Sequence, residues 1–465
     1  MITVPLALSM PLLLILVGIG LSLAFEVSGV NEGFRRYGNK NYISLTTAIA
    51  IISVFILVFQ AEANDISPKG GLIFDSVSKS AILSLSLLGL CTLWIVIERL
   101  KPENADSGEI YALTLCTYFF SILIACSESW PLLSSAYLAS MSTQIGILAL
   151  RKKRRTSPEV ALKWIISAAF LLVFFALLFF LSISATQPAT VVFGILLTLI
   201  ILGAVPLQSH HVDVLDGTPS YSAVFYVGST LINSTIIFWR LSHSASLSAD
   251  ILERITWVLM IFAAISFCVG PIMALDQRRM SRLLAYLLAS QAGLVLIFAA
   301  LFFSHIEIPL YLYGYLFTHF VLCAAGSYAG LNYWKNARHA FRTWEDFAGA
   351  GRKHPLESGA FFLVLASICG LPFTSGFVLR TQLIGLAPPA IRVPILIILF
   401  ASIVLSAVPV LRLFAFFFGK TARHELTEHH RHRQITLLYM CATILFLAAL
   451  APLSVLRFVF DFSQK

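Results

Sequence analysis

Apolar runs of about 20 residues follow one another along almost the whole chain, with only short polar loops between them. Each is long enough, as a helix, to cross a hydrocarbon core of about 30 Å. The chain has 465 residues, is 58% hydrophobic and only 12% charged, and its mean hydropathy of +0.87 excludes an ordinary soluble domain. The fold class is therefore an all-α polytopic membrane protein. Fourteen transmembrane helices are placed near 3–25, 42–60, 78–98, 108–126, 131–150, 159–183, 188–216, 219–240, 252–275, 282–303, 307–331, 357–387, 391–418 and 434–457. The first run, Met1 to Phe25, has no basic leader and no clear small-residue cleavage site, so it reads as a membrane helix and not a cleaved signal. No soluble domain is expected. The longest polar loop, about 332–356, has room for a short surface helix.

Charge then sets orientation. Basic clusters occupy Arg35, Arg36 and Lys40; 151–155; Arg278, Arg279 and Arg282; 335–353; and 420–433. With fourteen helices these five loops share one side. The positive-inside rule puts that side in the cytoplasm and both termini outside, in a bacterial-type inner membrane. Two loops on the same side fit less well: 98–109 is slightly acidic, and the turn near Asp216 has no Lys or Arg. The net charge of +9 is explained by these loops, so no nucleic acid is implied.

The seventh and twelfth runs are interrupted. One contains Leu202-Gly203-Ala204-Val205-Pro206 and the other Cys369-Gly370-Leu371-Pro372, and each leads into polar residues. Proline removes a donor and clashes with the preceding turn. Broken backbone at membrane depth is tolerated only inside protein or against a water-filled cavity, so the breaks line a transport cavity or are simple kinks. They are the fourth members of two five-helix units, 108–240 and 252–418, flanked by 1–107 and 434–465. An odd repeat length makes the two units inverted repeats.

Several motifs carry a resemblance. They are Glu159-Val160-Ala161-Leu162-Lys163-Trp164; Val205-Pro206-Leu207 running to Asp213-Val214-Leu215-Asp216-Gly217-Thr218-Pro219; and Asp276-Gln277-Arg278-Arg279 with Arg282-Leu283-Leu284-Ala285-Tyr286. Asp346 to Pro355 and Gly370-Leu371-Pro372-Phe373-Thr374-Ser375-Gly376-Phe377 complete the set. In order and spacing the chain resembles the antiporter-like proton-channel subunits of respiratory complex I, especially the N-type subunit, from about Gly71 to Gly385. The resemblance implies fourteen helices, two inverted five-helix repeats and broken seventh and twelfth helices. It also implies other membrane subunits as partners, protons as cargo, and redox energy supplied elsewhere.

Such subunits carry a glutamate on the fifth helix and lysines on later ones, whose pKa values shift with the local field. Here the corresponding positions fall at Tyr137, at Ile201 or Leu202, and at Thr230 or Leu231. No Glu, Asp or Lys lies between Trp130 and Leu150 or between Pro188 and Pro206. The twelfth-helix position holds Arg380, which stays protonated. His319 lies within the eleventh helix, one turn before Cys323. The pathway candidates are thus Arg380, His319, His210, His211, Asp213 and Lys163, with Gly203, Pro206, Gly370 and Pro372 as break positions.

Each candidate has a plainer reading. His210, His211, Asp213 and Asp216 could admit protons or form a solvated helix end. Arg380 could act in the pathway or bond broken-helix carbonyls. His319 could relay protons or serve as interhelical glue. Lys163 could couple or snorkel. No metal site is expected, because the histidines have no matching donors and the seven cysteines form no CxxC. No Walker A, GxGxxG with a following acid or nucleophile elbow occurs, so this chain is expected to bind no cofactor and do no redox chemistry itself. The leading expectation is a proton-translocating subunit of a complex I-like assembly with an altered relay. The alternatives are a cation/proton antiporter, a membrane hydrogenase, an inorganic-carbon transport system or a non-conducting scaffold.

Overall fold

The computed structural model describes residues 6–30, 36–63, 71–103, 108–149, 157–184, 187–205, 209–244, 247–334, 343, 347–419 and 432–451. Pro206, Asp346 and the basic stretches 151–155, 335–342 and 420–431 lie outside them. The first helices are α1 (Leu6–Val30), α2 (Arg36–Gln60), α3 (Ser76–Glu103), α4 (Gly108–Cys126), α5 (Trp130–Ala149) and α6 (Ser157–Ser184). Next come α7 (Gln187–Leu202), α8 (Ser209–Gly217), α9 (Ser220–Ser244), α10 (Ala249–Leu275), α11 (Met280–Ala289) and α12 (Ala292–Phe303). The last are α13 (Leu310–Trp334), α14 (Ala350–Lys353), α15 (Pro355–Cys369), α16 (Ser375–Leu386), α17 (Pro389–Gly419) and α18 (His432–Leu450). Among the described residues the only bridges of β type are isolated pairs.

Twelve segments are long and apolar enough to cross a membrane, and Ala189–Leu202 and Pro355–Cys369 are shorter apolar helices. They occupy the fourteen expected positions, with α7 and α8 forming the broken seventh span and α15 and α16 the broken twelfth. One helix differs from expectation. The tenth span is also interrupted, between α11 and α12, where Gly293 N–H bonds Ser290 O (3.0 Å) and Leu294 N–H bonds Gln291 O (3.0 Å) in tight three-residue turns.

By contacts the described residues form two compact units, one of 1–197 and 217–240, the other of 198–216 and 241–456. In the first unit α1 packs on α2 and α4, and α5 joins α4 to α6. One end of this unit is pinned by charge. Asp75 caps α3, accepting from Ser78 N–H (2.6 Å). Arg240 of α9 donates to Ser78 Oγ (2.8 Å) and to Ala125 O (2.9 Å), and lies 3.8 Å from the Asp75 carboxylate. The loop before α3 pairs with the end of α4 through Ile73 N–H to Cys126 O (2.8 Å) and Glu128 N–H to Gly71 O (2.8 Å).

In the second unit α10 packs against α12 and α17, and α13 against α15 and α18. Its arginines gather at one end. Arg279 and Arg282 pair with Asp216 at 3.0 and 3.5 Å, Arg282 reaches Asp213 at 2.5 Å, and Ser281 Oγ donates to Asp216. Arg412 caps the last carbonyl of α10, Leu275 O, at 2.9 Å, and Arg352 donates to Phe418 O at 2.7 Å near the end of α17. Cations at helix C-termini satisfy orphan carbonyls and oppose the helix dipole. The acidic turn near Asp216 is thereby explained: it balances the arginines of the loop between the ninth and tenth spans.

Removing one partner of a buried charged cluster leaves the other uncompensated. Arg240→Leu should therefore lower stability by about 3 kcal/mol or more. The exposed pair Lys163–Glu159 (3.1 Å) is different, and Glu159→Ala should cost at most about 0.5 kcal/mol. Thermal unfolding of the purified assembly in detergent compares the two, and equal effects would refute the clamp.

Candidate functional site

The two breaks are built alike. Gly203 and Gly370 take left-handed backbone, φ 64° and 77°, a conformation that favours glycine. Gly203 N–H bonds Ile200 O (3.1 Å) and Ala204 N–H bonds Leu199 O (3.1 Å). Gly370 N–H bonds Ser367 O (3.1 Å) and Leu371 N–H bonds Ala366 O (2.9 Å). Both are Schellman caps, the pattern that closes a helix at a left-handed residue. The helix therefore stops at the glycine, and Pro372 only follows. Proline alone does not break these helices: Pro271 lies inside unbroken α10, and Pro394 and Pro409 inside α17. Phe373 beside Pro372 also takes positive φ, 64°.

A basic side chain lies over each glycine. A Cβ on Gly203 would stand 2.2 Å from the His211 ring, and one on Gly370 would stand 2.0 Å from Arg380 Nη1. Freed amides find serines: Val205 N–H donates to Ser266 Oγ (3.3 Å) and Gly376 N–H to Ser367 Oγ (3.3 Å).

The second break holds the richer polar cluster. Arg380, 2% exposed, donates through Nη2 to Ile368 O at the end of α15 (3.1 Å) and through Nη1 to Gly376 O in α16 (3.0 Å). Its guanidinium stacks 5.9 Å from the Phe267 ring of α10. Ile368 O also accepts from Gln291 Nε2 (2.9 Å), the residue at the α11–α12 interruption. His319 on α13, 2% exposed, shares a hydrogen bond with Ser375 Oγ (3.0 Å). Ser375 Oγ is 2.9 Å from Ser367 Oγ, and Tyr315 Oη donates to Ser375 O at 3.2 Å. Imidazole and hydroxyl groups each donate and accept, so His319, Ser375 and Ser367 form a string along which a proton can be passed.

The expected candidates thus separate. Arg380 and His319 sit at one break. Asp213 is held by Arg282, and His211 covers Gly203. His210 lies in the first turn of α8, and Pro206 is outside the described residues. Lys163 pairs with Glu159 on a half-exposed face of α6. At the fifth-helix glutamate position Tyr137 packs its ring 6.2 Å from Phe175, so the site is filled by apolar contact. Gln291, Ser367 and Ser375 were not among the candidates. Gln291 had a usable signal, as the one carboxamide in the apolar run 283–303.

Alanine at Gly370 must adopt left-handed backbone, at roughly 1–2 kcal/mol, and also displace the guanidinium. Gly370→Ala should lower the unfolding temperature clearly, whereas Gly385→Ala, with open space around it, should not. Similar melting of the two variants would contradict the cap.

The chain matches the family described as NADH:quinone oxidoreductase/Mrp antiporter, transmembrane, over residues 80–406. It is similar to NADH-quinone oxidoreductase subunit N of Halorhodospira halophila, 26% identical over 392 residues that cover 78% of each chain. Subunit N 1 of Sorangium cellulosum is 25% identical over 438 residues, covering 83% of this chain and 82% of the relative. In fold it is similar to a chain of respiratory complex I from Thermus thermophilus, with TM-score 0.73, 21% identity, and 96% and 98% of the two chains covered. A chain of the archaeal membrane-bound sulfane sulfur reductase gives TM-score 0.76 at 17% identity, covering 98% and 97%. A chain of the Mrp complex from a Dietzia species gives 0.73 at 15%, also covering 98% and 97%. At these identities the solved structures speak for the fold.

Proposed function

The chain belongs to the NADH:quinone oxidoreductase/Mrp antiporter transmembrane family, and from that footing we propose that it is an N-type membrane subunit of a complex I-like NADH:quinone oxidoreductase. The observation that carries this reading is similarity to subunit N relatives over about four fifths of the chain, with both broken spans kept. Its partners are other membrane subunits, its cargo is protons, and the redox centres lie on other chains. The assembly sits in a bacterial-type inner membrane.

Proton transfer in this subunit follows an altered route. The fifth-helix glutamate and seventh-helix lysine positions are Tyr137 and Ile201 or Leu202, all buried. The remaining string is His319, Ser375 and Ser367 at the second break. We assign the relay to that string, with Arg380 as the charge that fixes its surroundings. The apolar filling at Tyr137 favours a second reading, a subunit that holds its neighbours in register without conducting. A sulfane sulfur reductase-like or Mrp-like assembly is the alternative setting, since chains of both complexes share the fold.

His319→Gln keeps a polar side chain but removes the imidazole. In the reconstituted complex it should lower the number of protons pumped per electron pair while electron transfer and assembly persist. An unchanged ratio would remove His319 from the route and leave the non-conducting reading.

The basic loops lie in the cytoplasm and both termini outside. Support comes from the pairing of the acidic turn at Asp216 with Arg279 and Arg282, which joins two loops assigned to one side. Cysteines replacing the exposed Glu307 and Arg278 give the check. A membrane-impermeant maleimide should label Glu307→Cys from the outer face and Arg278→Cys only from the cytoplasmic face; the reverse pattern would invert the topology.

A further inference from the structure

We infer that Arg380 is a fixed charge that closes the break of the twelfth span to cations in the resting protein, so that without turnover the gap between α15 and α16 is a cation-excluding barrier. This rests on the break lying on the translocation route, but it makes a claim about the resting protein that needs no electron transfer.

Geometry comes first. The guanidinium occupies the space that Gly370 leaves by lacking a Cβ, with Nη1 2.0 Å from where that atom would stand. It spans the gap, bonded to the last turn of α15 through Ile368 O and to the first turn of α16 through Gly376 O. The relay string reaches the same place, because Gly376, whose carbonyl Arg380 holds, donates its amide to Ser367 Oγ. A cation crossing the break along that string meets the guanidinium.

Charge comes second. From Ser358 through Gly419 the chain contains no Asp, Glu or Lys, and its charged residues are Arg380, Arg392 and Arg412. On α13, which supplies His319, Tyr315 and Cys323 to the site, the sequence has no Asp, Glu, Lys or Arg. Among the described residues no carboxylate forms an ion pair with Arg380, and its Nε has no hydrogen-bond partner. Carbonyl dipoles and the Phe267 face hold the charge without cancelling it. An arginine keeps its proton under all ordinary conditions, so it cannot discharge by handing that proton on. An uncancelled cation in a low-dielectric gap repels any second one, as arginines do in pores that exclude protons and cations. Arg380 is on this argument a positioning and selectivity residue.

The test is passive leak. The whole complex is reconstituted in sealed vesicles without substrates, a pH gradient is imposed with the membrane potential clamped by potassium and valinomycin, and an enclosed dye follows its decay. Arg380→Gln should speed proton leak several-fold, and Arg380→Lys should stay close to the unaltered protein. Permeability to uncharged glycerol should not change in either. Vesicles with Arg380→Gln as tight as the unaltered protein would overturn the proposal, as would a parallel rise in glycerol permeability, which marks a mere hole. Should Arg380→Gln fail to assemble, Phe267→Glu decides: it keeps the arginine but sets a carboxylate against it, and leak should again rise, with no rise overturning the barrier. Failure of the subunit N reading would appear instead in which chains co-purify, and leaves this result untouched.

Discussion

A polypeptide in hydrocarbon cannot leave backbone groups unpaired, and the two broken spans are where this chain meets that constraint. Both solve it in the same way. A left-handed glycine closes the first half-helix with paired i→i−3 and i→i−5 bonds, and a serine accepts an amide freed beyond it. The second break needs one thing more. Ile368 O lies near the C-terminal end of α15, where the helix dipole concentrates negative partial charge, and two donors converge on it, Arg380 and Gln291. Two spans are tied together at that oxygen: the tenth through Gln291, and both halves of the twelfth through Arg380.

The same chemistry recurs at one end of the second unit. Arg412 and Arg352 satisfy carbonyls near the ends of α10 and α17. Arg279 and Arg282 bind the carboxylates at the end of α8. Arginines thus close helices as well as pairing with carboxylates. The arrangement positions the first break, because α8 carries both the paired Asp213 and the His211 ring that covers Gly203.

Run length made the spans legible, since each apolar run needed only to be long enough and low in charge to cross a membrane. The breaks were legible in place but not in cause. Pro206 and Pro372 drew attention, whereas the glycines end the helices, and prolines inside α10 and α17 leave those helices intact. Arg380 stood out because a lone charge in an apolar run is costly. Ser367 and Ser375 did not, because serine is common in membrane helices and only packing decides which ones meet. The pairing of Asp216 with Arg279 links residues 63 positions apart, with no local pattern to mark it. The α11–α12 interruption has no proline, and its Ser290-Gln291 pair reads as ordinary helix.

An unbroken apolar helix would satisfy every backbone bond by itself, and well-packed apolar groups often serve stability better than a buried ion. A part that only held neighbours in place would gain from both changes. This chain has two breaks, each closed by a left-handed glycine, a buried arginine that pairs with no carboxylate among the described residues, and an imidazole–hydroxyl string at one of the breaks. Strained or costly elements persist where surrounding structure enforces them, and they gather at working sites. The first break has Gly203 and His211 but apolar neighbours at Ile201 and Leu202. The second has His319, Ser375, Ser367 and Arg380. The imidazole and hydroxyl groups that the proposed route uses therefore lie at the second break. There an imidazole–hydroxyl string lies beside a charge that never leaves.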